Sequence, residues 1–275
     1  MERTIVVTGA SSGVGLAAAE QFAAQGDQVV VVGRSPGRLD AAVARVKAAG
    51  GGREPGRFRA DFENLQDVRD LAAYLLGAYD HIDVLANNAG GMVAEYRRTV
   101  DGYEATIEGN HLAPFLLTEL LRERLTGGRM VSTASDAHRR GHPPDPDDFT
   151  GSAANYSTWR AYSTAKAANI LFAAEAARRW PDITSLSFHP GVVRTNFGNG
   201  RLLRLFYKYA PGLVTPEKAG ALLVWLATAP ASELVNGGYY VGRQPAEPAA
   251  QAKDPAAAAR LWEASAAAVG VSRKE

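Results

Sequence analysis

The chain has 275 residues, a formal net charge of +1 and no cysteine, and 46% of its residues are hydrophobic. This composition is typical of a globular protein, and the scattered, balanced charge argues against nucleic-acid binding. The lack of cysteine excludes disulfides, thiolate zinc sites and a cysteine nucleophile. We expect no metal site either, because the five histidines show no metal-ligand spacing. With no export signal and no apolar run of roughly 18 residues, we expect a cytoplasmic protein without a transmembrane segment.

Short β-branched runs alternate with helical patterns along the chain. Strands are predicted at residues 4–8, 29–32, 84–86, 129–132 and 184–189. The run of four valines at 29–32 has no polar alternation, as expected for a strand that is covered on both faces. Alternating strands and helices form right-handed βαβ units. We therefore predict an α/β fold with a single doubly wound parallel sheet and helices on both faces.

Two segments interrupt this alternation. The polar, proline-containing connection 136–159 is interpreted as an active-site flap, because loops of that length in compact domains are often functional. Residues 243–254 are rich in proline and alanine, and Asp254 followed by Pro255 predicts a last helix that reaches about Val269. The predicted division is a cofactor-binding and catalytic domain at 1–242, including a substrate lid at about 196–215, and a tail at 243–275.

A glycine-rich turn follows the first predicted strand and opens the first helix. Glycines let the backbone approach a pyrophosphate, and the helix N-terminus supplies N–H donors and a positive dipole end. An ordinary tight turn is the alternative interpretation. The candidate cofactor-binding residues of the turn are Gly9, Ser11, Ser12, Gly13, Val14 and Gly15. In its strand-to-helix context the turn favours a dinucleotide-binding domain of the Rossmann type.

The residues after the second predicted strand indicate which dinucleotide binds. Enzymes that prefer NAD usually carry an acidic residue there, for the ribose 2′-hydroxyl. This chain instead has Arg34, with Arg38 one helical turn later. The planar, permanently charged guanidinium suits a 2′-phosphate, so NADP(H) is the predicted cofactor. The alternative is that Arg34 is a solvated loop residue.

Tyr162 and Lys166 lie four positions apart in a predicted helix and therefore share one face. A nearby ammonium stabilises a phenolate, which makes the tyrosine a better proton donor to a developing alkoxide. As an isolated pattern, Tyr and Lys at this spacing are mostly structural. Their interpretation as a catalytic pair depends on the other motifs.

Five motifs occur together in one order: the turn 8–15, the run 87–90, Ser135, the pair Tyr162 and Lys166, and the run 189–191. In this order and spacing the chain resembles the classical short-chain dehydrogenase/reductase family over residues 3–242. The long interval between Ser135 and Tyr162 is similar to that of the retinol dehydrogenase-like and WW-domain-oxidoreductase-like branch.

The resemblance implies roles for individual residues. Ser135 would bind the substrate oxygen, Tyr162 would donate or accept the proton, Lys166 would bind the nicotinamide ribose, and Asn110 would interrupt a helix and hold a water. Ser132 competes with Ser135 for its role but belongs to a predicted strand. Asp61, followed by Phe62, matches the adenine contact, and the remaining implied cofactor residues are Asn88, Ala89, Gly90, Pro190, Val193 and Thr195.

The expected activity is hydride transfer between NADP(H) and a lipophilic ketone or aldehyde and its alcohol. The resemblance also implies a possible homo-oligomer. Residues 201–209 mix apolar and basic side chains and are interpreted as a lipophilic lid, with a membrane-surface helix as the alternative. Two other functions stay open: a non-catalytic NADP-binding sensor or scaffold, and an epimerase or dehydratase of the extended branch.

Overall fold

The computed structural model describes residues 2–193 and 213–271. Eight strands of these residues form one sheet in the order β3-β2-β1-β4-β5-β6-β7-β8. Neighbouring strands are parallel except for the last pair, β7 and β8, which is antiparallel. The strands are β1 (Thr4–Val7), β2 (Gln28–Gly33), β3 (Gly56–Arg59), β4 (Val84–Asn87), β5 (Arg129–Thr133), β6 (Thr184–His189), β7 (Tyr239–Val241) and β8 (Gln244–Pro245).

Helices cover both faces of the sheet, each over its own hydrophobic core. The helices α1, α2 and α7 pack on one face, and α3, α5, α6 and α8 pack on the other. The helices are α1 (Gly13–Ala24), α2 (Pro36–Ala49), α3 (Leu65–Ala78), the short α4 (Ala105–Ile107), α5 (Ala113–Leu121), α6 (Thr158–Arg179), α7 (Pro216–Thr228) and α8 (Pro255–Val269). This architecture confirms the predicted doubly wound α/β fold.

The central strands are buried because apolar side chains project from both of their faces. In β2 the valines at 29 and 31 join the core under α1 and α2, and those at 30 and 32 join the opposite core. Burial on both faces explains the absence of polar alternation in this strand. Strand order reverses beside β1, which pairs with β2 on one side and β4 on the other. In such sheets a crevice opens at the carboxyl ends of the strands at this point.

The last helix, α8, packs against α5 and α6. Asp254 caps its start by accepting a hydrogen bond from the Ala256 N–H, and Gly270 ends it with a φ of 68°. The Trp262 ring lies in its middle, 5.0 Å from the ring of Phe115 and 4.8 Å from the ring of Trp180. Residues that the sequence sets apart as a tail therefore contribute to the core on this face of the sheet.

Among the residues that the structure describes, no helix combines the length and the apolar character needed to cross a bilayer.

Candidate active site

At two positions, the turn between β1 and α1 has a backbone conformation that only glycine adopts readily. Gly9 has a φ of 67° and Gly13 a φ of 56°. A Cβ at Gly15 would lie 2.6 Å from the carbonyl oxygen of Gly9, so close packing of the turn also requires glycine there. Ser12 is exposed and precedes α1 as its N-cap, and its side chain makes no capping hydrogen bond within the described residues. The turn thus leaves the N-terminus of α1 open to an anionic group.

Thr8 joins this turn to the end of β4. Its hydroxyl donates to the Ala86 carbonyl oxygen at 3.1 Å and accepts from the N–H groups of Asn88 and Ala89 at 3.0 and 2.9 Å. The Asn88 amide in turn donates to the Thr8 carbonyl oxygen at 2.9 Å. Thr8 has no predicted role of its own. It holds the glycine turn and the candidate residues Asn88 and Ala89 in one rigid unit.

Arg34 follows β2, as predicted from the sequence, but it faces two carboxylates that the sequence analysis did not connect with it. Its Nη1 lies 3.2 Å from Glu63 Oε1 and 3.6 Å from Asp61 Oδ1. Glu63 also pairs with Arg97. Arg34 remains 55% exposed, and Arg38 is exposed on the first turn of α2. Both arginines are therefore accessible to a phosphate.

The end of β3 contributes the other two candidates of this region. Asp61 Oδ1 accepts from the Glu63 N–H at 3.1 Å, which closes a tight turn before α3. The Phe62 side chain is only 8% exposed and joins the core under α3. Asp61 thus lies beside Arg34 at the sheet edge, whereas the Phe62 side chain packs in the hydrophobic core.

Asn110 lies in a π-helical turn, Glu108–Leu112, that separates α4 from α5. Its amide donates to the carbonyl oxygens of Thr106 at 2.8 Å and Gly91 at 2.9 Å, and its Oδ1 accepts from the Gly91 N–H at 3.0 Å. Gly90 has a φ of 143°, and a Cβ there would lie 2.4 Å from Asn110 Oδ1. Turns of this type often occur at functional sites.

Tyr162 and Lys166 lie on the first half of α6. The Lys166 ammonium nitrogen is 5.3 Å from the centre of the Tyr162 ring and donates to the Thr133 carbonyl oxygen at 3.0 Å. The same nitrogen lies 3.6 Å from where a Cβ would stand on Gly90. Lys166 is 3% exposed, and burial lowers the pKa of its ammonium to about 7. The fold thus brings Lys166 from α6 to the ends of both β4 and β5.

The two candidate serines differ in their surroundings. Ser132 lies inside β5 and is 1% exposed. Ser135 lies just beyond the end of that strand, is half-buried, and accepts from the Ala137 N–H at 3.2 Å. Ser135 therefore borders the crevice at the end of β5, where the Thr133 carbonyl oxygen accepts a hydrogen bond from Lys166.

The segment after β6 supplies the last predicted cofactor residues. Pro190 follows the strand directly, and Gly191 turns the chain with a φ of 88°. Val193 is 9% exposed and forms an isolated parallel bridge with Val214. Thr195 and the predicted lid, apart from residues 213–215, lie outside the described residues.

Comparison with known proteins identifies the family. A family model described as short chain dehydrogenase matches residues 3–146. The chain belongs to the short-chain dehydrogenase/reductase family. It is therefore an oxidoreductase that uses a nicotinamide cofactor, and its doubly wound sheet is the fold of that family.

Individual relatives refine this assignment. The chain is 51% identical, over 98% of its length and 93% of the relative, to a candidate daunorubicin C-13 ketoreductase, DnrU, of Streptomyces sp. (strain C5). It is 32% identical to human retinol dehydrogenase 13, over 98% of the chain and 85% of the relative. This similarity agrees with the retinol dehydrogenase-like branch that the sequence analysis indicated.

A solved structure with a bound cofactor also resembles the chain. It is a crystal structure, with NADPH, of a candidate short chain dehydrogenase from Escherichia coli CFT073. The TM-score is 0.68 at 26% identity, and the match covers 88% of this chain and 97% of the other.

Proposed function

We propose that this protein is an NADP(H)-dependent oxidoreductase that interconverts a lipophilic ketone or aldehyde and its alcohol, with Tyr162 as the proton donor and acceptor. The observation that carries the proposal is the arrangement around Lys166: its ammonium lies beside the Tyr162 ring and close to Gly90, and it donates to the Thr133 carbonyl oxygen, two residues before Ser135. These groups lie at the carboxyl ends of β4 and β5. This is the position in an open α/β sheet where ligands bind.

The residues present fit a dinucleotide phosphate. The glycine turn and the free N-terminus of α1 suit the pyrophosphate, since backbone N–H groups and the helix dipole favour an anion there. Arg34 and Arg38 would hold a 2′-phosphate. Arg34 would exchange its partner Glu63 for the phosphate, because both are anions that pair with the same guanidinium. The bound cofactor supplies or takes the hydride.

In the reductive direction, the carbonyl carbon receives the hydride and Tyr162 transfers its hydroxyl proton to the carbonyl oxygen, so that an alcohol forms. Ser135 donates a hydrogen bond to the same oxygen. Lys166 binds the ribose next to the nicotinamide and stabilises the tyrosinate that remains. The negative charge of a bound dinucleotide favours the protonated form of Lys166, which burial alone disfavours. Asn110 acts as a positioning residue, since it binds the backbone of Gly91 and so fixes the turn that carries Gly90 beside this lysine.

The surface beside Tyr162 favours an aromatic or otherwise flat apolar substrate. Trp159 lies one helical turn before Tyr162, with its ring 6.3 Å away, and is 41% exposed. Its helix start is held in place, because Ser157 caps it and the Thr158 hydroxyl donates to the Ala94 carbonyl oxygen at 2.7 Å. An indole ring fixed next to the proton donor can stack on a planar substrate. The name of the Streptomyces relative, a candidate daunorubicin C-13 ketoreductase, supports a ketone as the substrate.

A panel of fused-ring aromatic ketones and aliphatic ketones of matched size tests the proposal, with NADPH and NADH offered separately. We expect turnover with NADPH and a lower KM for the aromatic ketones. Trp159→Ala should raise the KM for aromatic ketones about 3- to 10-fold, which corresponds to the loss of one ring-stacking contact. Trp225→Ala, in α7 on the other face of the sheet, is the control and should leave this KM unchanged. A protein that binds NADPH but reduces none of the carbonyls would be a sensor and not this enzyme.

A further inference from the structure

His138 is a buried residue that links the candidate catalytic serine to the C-terminal part of the chain. It lies in the 3₁₀ turn Asp136–Arg140 that begins directly after Ser135, and its relative exposure is 0%. Its Nδ1 lies 2.7 Å from the Ser135 carbonyl oxygen, and its Nε2 lies 3.1 Å from the backbone nitrogen of Ala249. One imidazole ring thus bridges two segments that are more than a hundred residues apart in sequence.

These two contacts fix the tautomer of His138. The Ala249 N–H can only donate, so Nε2 must present its lone pair and the ring proton must be on Nδ1. Nδ1–H then donates to the Ser135 carbonyl oxygen, which also accepts from the backbone N–H of His138 at 3.1 Å. With two donors on one carbonyl, the peptide plane after Ser135 has little freedom to rotate.

The segment 247–251 holds the same turn through two more hydrogen bonds. The Gln251 amide donates to the His138 carbonyl oxygen at 2.9 Å, and Arg139 Nη2 donates to the Glu247 carbonyl oxygen at 2.9 Å. Arg139 also pairs with Asp136 at 2.9 Å. Each of these contacts orders residues directly after Ser135. The segment 247–251 therefore supports one side of the candidate active site from outside the strand-helix repeat.

We propose that His138 is a positioning residue for the carbonyl reaction and that the segment 247–251, through the Ala249 N–H, holds Ser135 in its productive orientation. The inference rests on the proposed role of Ser135 in binding the substrate oxygen. A small rotation of the Ser135 backbone would move its hydroxyl away from that oxygen, and misplacement of a catalytic group is costly. The effect should appear in kcat, because the cofactor and most of the substrate bind elsewhere.

Two variants remove the same hydrogen bond from opposite sides. Ala249→Pro deletes the N–H donor, and the φ of −64° at this position is the one that proline adopts. His138→Asn keeps a donor near the position of Nδ1 but lacks the acceptor at Nε2. Ala250→Pro is the matched control, because it opens the next 3₁₀ turn, where proline is tolerated.

We expect each of the two variants to lower kcat about 3- to 10-fold, the effect of one lost hydrogen bond. NADPH affinity and substrate KM should stay within about twofold of wild type. The double variant His138→Asn/Ala249→Pro should be no slower than the slower single variant, because both changes break one contact. Ala250→Pro should keep the kcat of the wild type.

The outcomes separate this inference from the proposed function. If Ser135→Ala loses activity while His138→Asn and Ala249→Pro turn over like wild type, the inference is overturned and the proposed function stands. Additive losses in the double variant would also overturn it, since the two residues would then act separately. If Ser135→Ala keeps full activity, the assignment of Ser135 in the proposed function is wrong. If a thermal melt shows that Ala249→Pro does not fold, His138→Asn decides alone. A wild-type kcat in His138→Asn would then overturn the inference.

Discussion

The two halves of the candidate site are constructed in different ways. On the cofactor side, at the ends of β1 and β4, the geometry is set by backbone: Gly9 and Gly15 allow the close approach, and Thr8 joins the two strand ends. On the substrate side, at the end of β5, it is set by side chains from distant parts of the chain. Lys166 reaches Thr133, and His138 reaches Ala249. Changes on the first side should therefore disturb cofactor binding, and changes on the second side should disturb turnover. Lys166 reaches both sides, so its loss should disturb both.

The largest expected effect lies on the substrate side. Tyr162→Phe keeps the ring that packs beside Lys166 but removes the proton donor. Because general acid catalysis contributes about 10²- to 10⁴-fold, kcat should fall by that factor while NADPH affinity stays unchanged. Lys166→Ala should lower both quantities, because it also removes the proposed ribose contact. Steady-state kinetics and NADPH titration distinguish the two patterns. A Tyr162→Phe enzyme with half of the wild-type kcat would refute the assignment.

On the cofactor side, Gly9→Ala tests the backbone geometry. Alanine there must adopt a φ of 67°, and its Cβ would lie 2.9 Å from the Ala89 Cα. Strain of this kind costs about 1–3 kcal/mol of folding stability. Gly26→Ala is the control, since Gly26 has a φ of 87° and open space around it. Both variants should melt earlier than wild type, but NADPH affinity should fall only in Gly9→Ala. Equal NADPH affinities in the two variants would show that the turn does not contact the cofactor.

Arg34→Asp tests cofactor choice. Loss of a charge-assisted hydrogen bond to the 2′-phosphate costs about 1.5–3 kcal/mol, so NADPH should bind roughly 10- to 100-fold more weakly. NADH, which has no 2′-phosphate, should be affected far less. Arg38→Asp should have a smaller effect than Arg34→Asp, because Arg38 lies one turn further along. Fluorescence titration of both cofactors measures these changes. Wild-type protein that binds NADH as tightly as NADPH would contradict the predicted preference.

The last prediction concerns folding stability and not turnover, and it involves Glu108, which lies in the π-helical turn with Asn110. Burial raises the pKa of the Glu108 carboxyl to about 8, and the nearby negative charges of Asp101 and Glu63 add to the shift. Because the folded chain holds this proton more tightly than the unfolded chain does, the free energy of unfolding should fall as pH rises from about 4.5 to about 8. Glu108→Gln removes this dependence.

Thermal melts across that pH range measure the effect. The Tm of Glu108→Gln minus that of wild type should increase from pH 5 to pH 8 by several degrees, because a pKa raised from 4.5 to about 8 corresponds to a few kcal/mol of stability. Glu123→Gln changes an exposed carboxylate and is the control. A Tm difference that stays constant with pH would mean that Glu108 is ionised throughout the range.

Local patterns predicted most of the fold. Apolar strands such as β2 and the capped start of α8 were recognised because their signals lie within a few residues. The edge strand β3 was missed because Arg57 and Arg59 are exposed and break the apolar run. The short strands β7 and β8 were missed as well, and they form only by pairing beside β6.

The candidate site shows the same limit. The glycine turn and the Tyr162 and Lys166 pair are visible in the sequence as local spacings. The contact of Glu63 with Arg34 depends on the pairing of β2 with β3, and that of His138 with Ala249 depends on the path of the chain after β8. Such contacts between residues far apart in sequence leave no periodic signal.

Carbonyl reduction at this site is tested most directly by the balance of hydride between cofactor and substrate. Wild-type protein is incubated with NADPH and an aromatic ketone, and the NADPH oxidised and the alcohol formed are both quantified. We expect equal amounts of NADP⁺ and alcohol, and neither product without the protein. NADPH oxidation without alcohol, or no reaction with any ketone or aldehyde offered, would contradict the claim that this site reduces a carbonyl group.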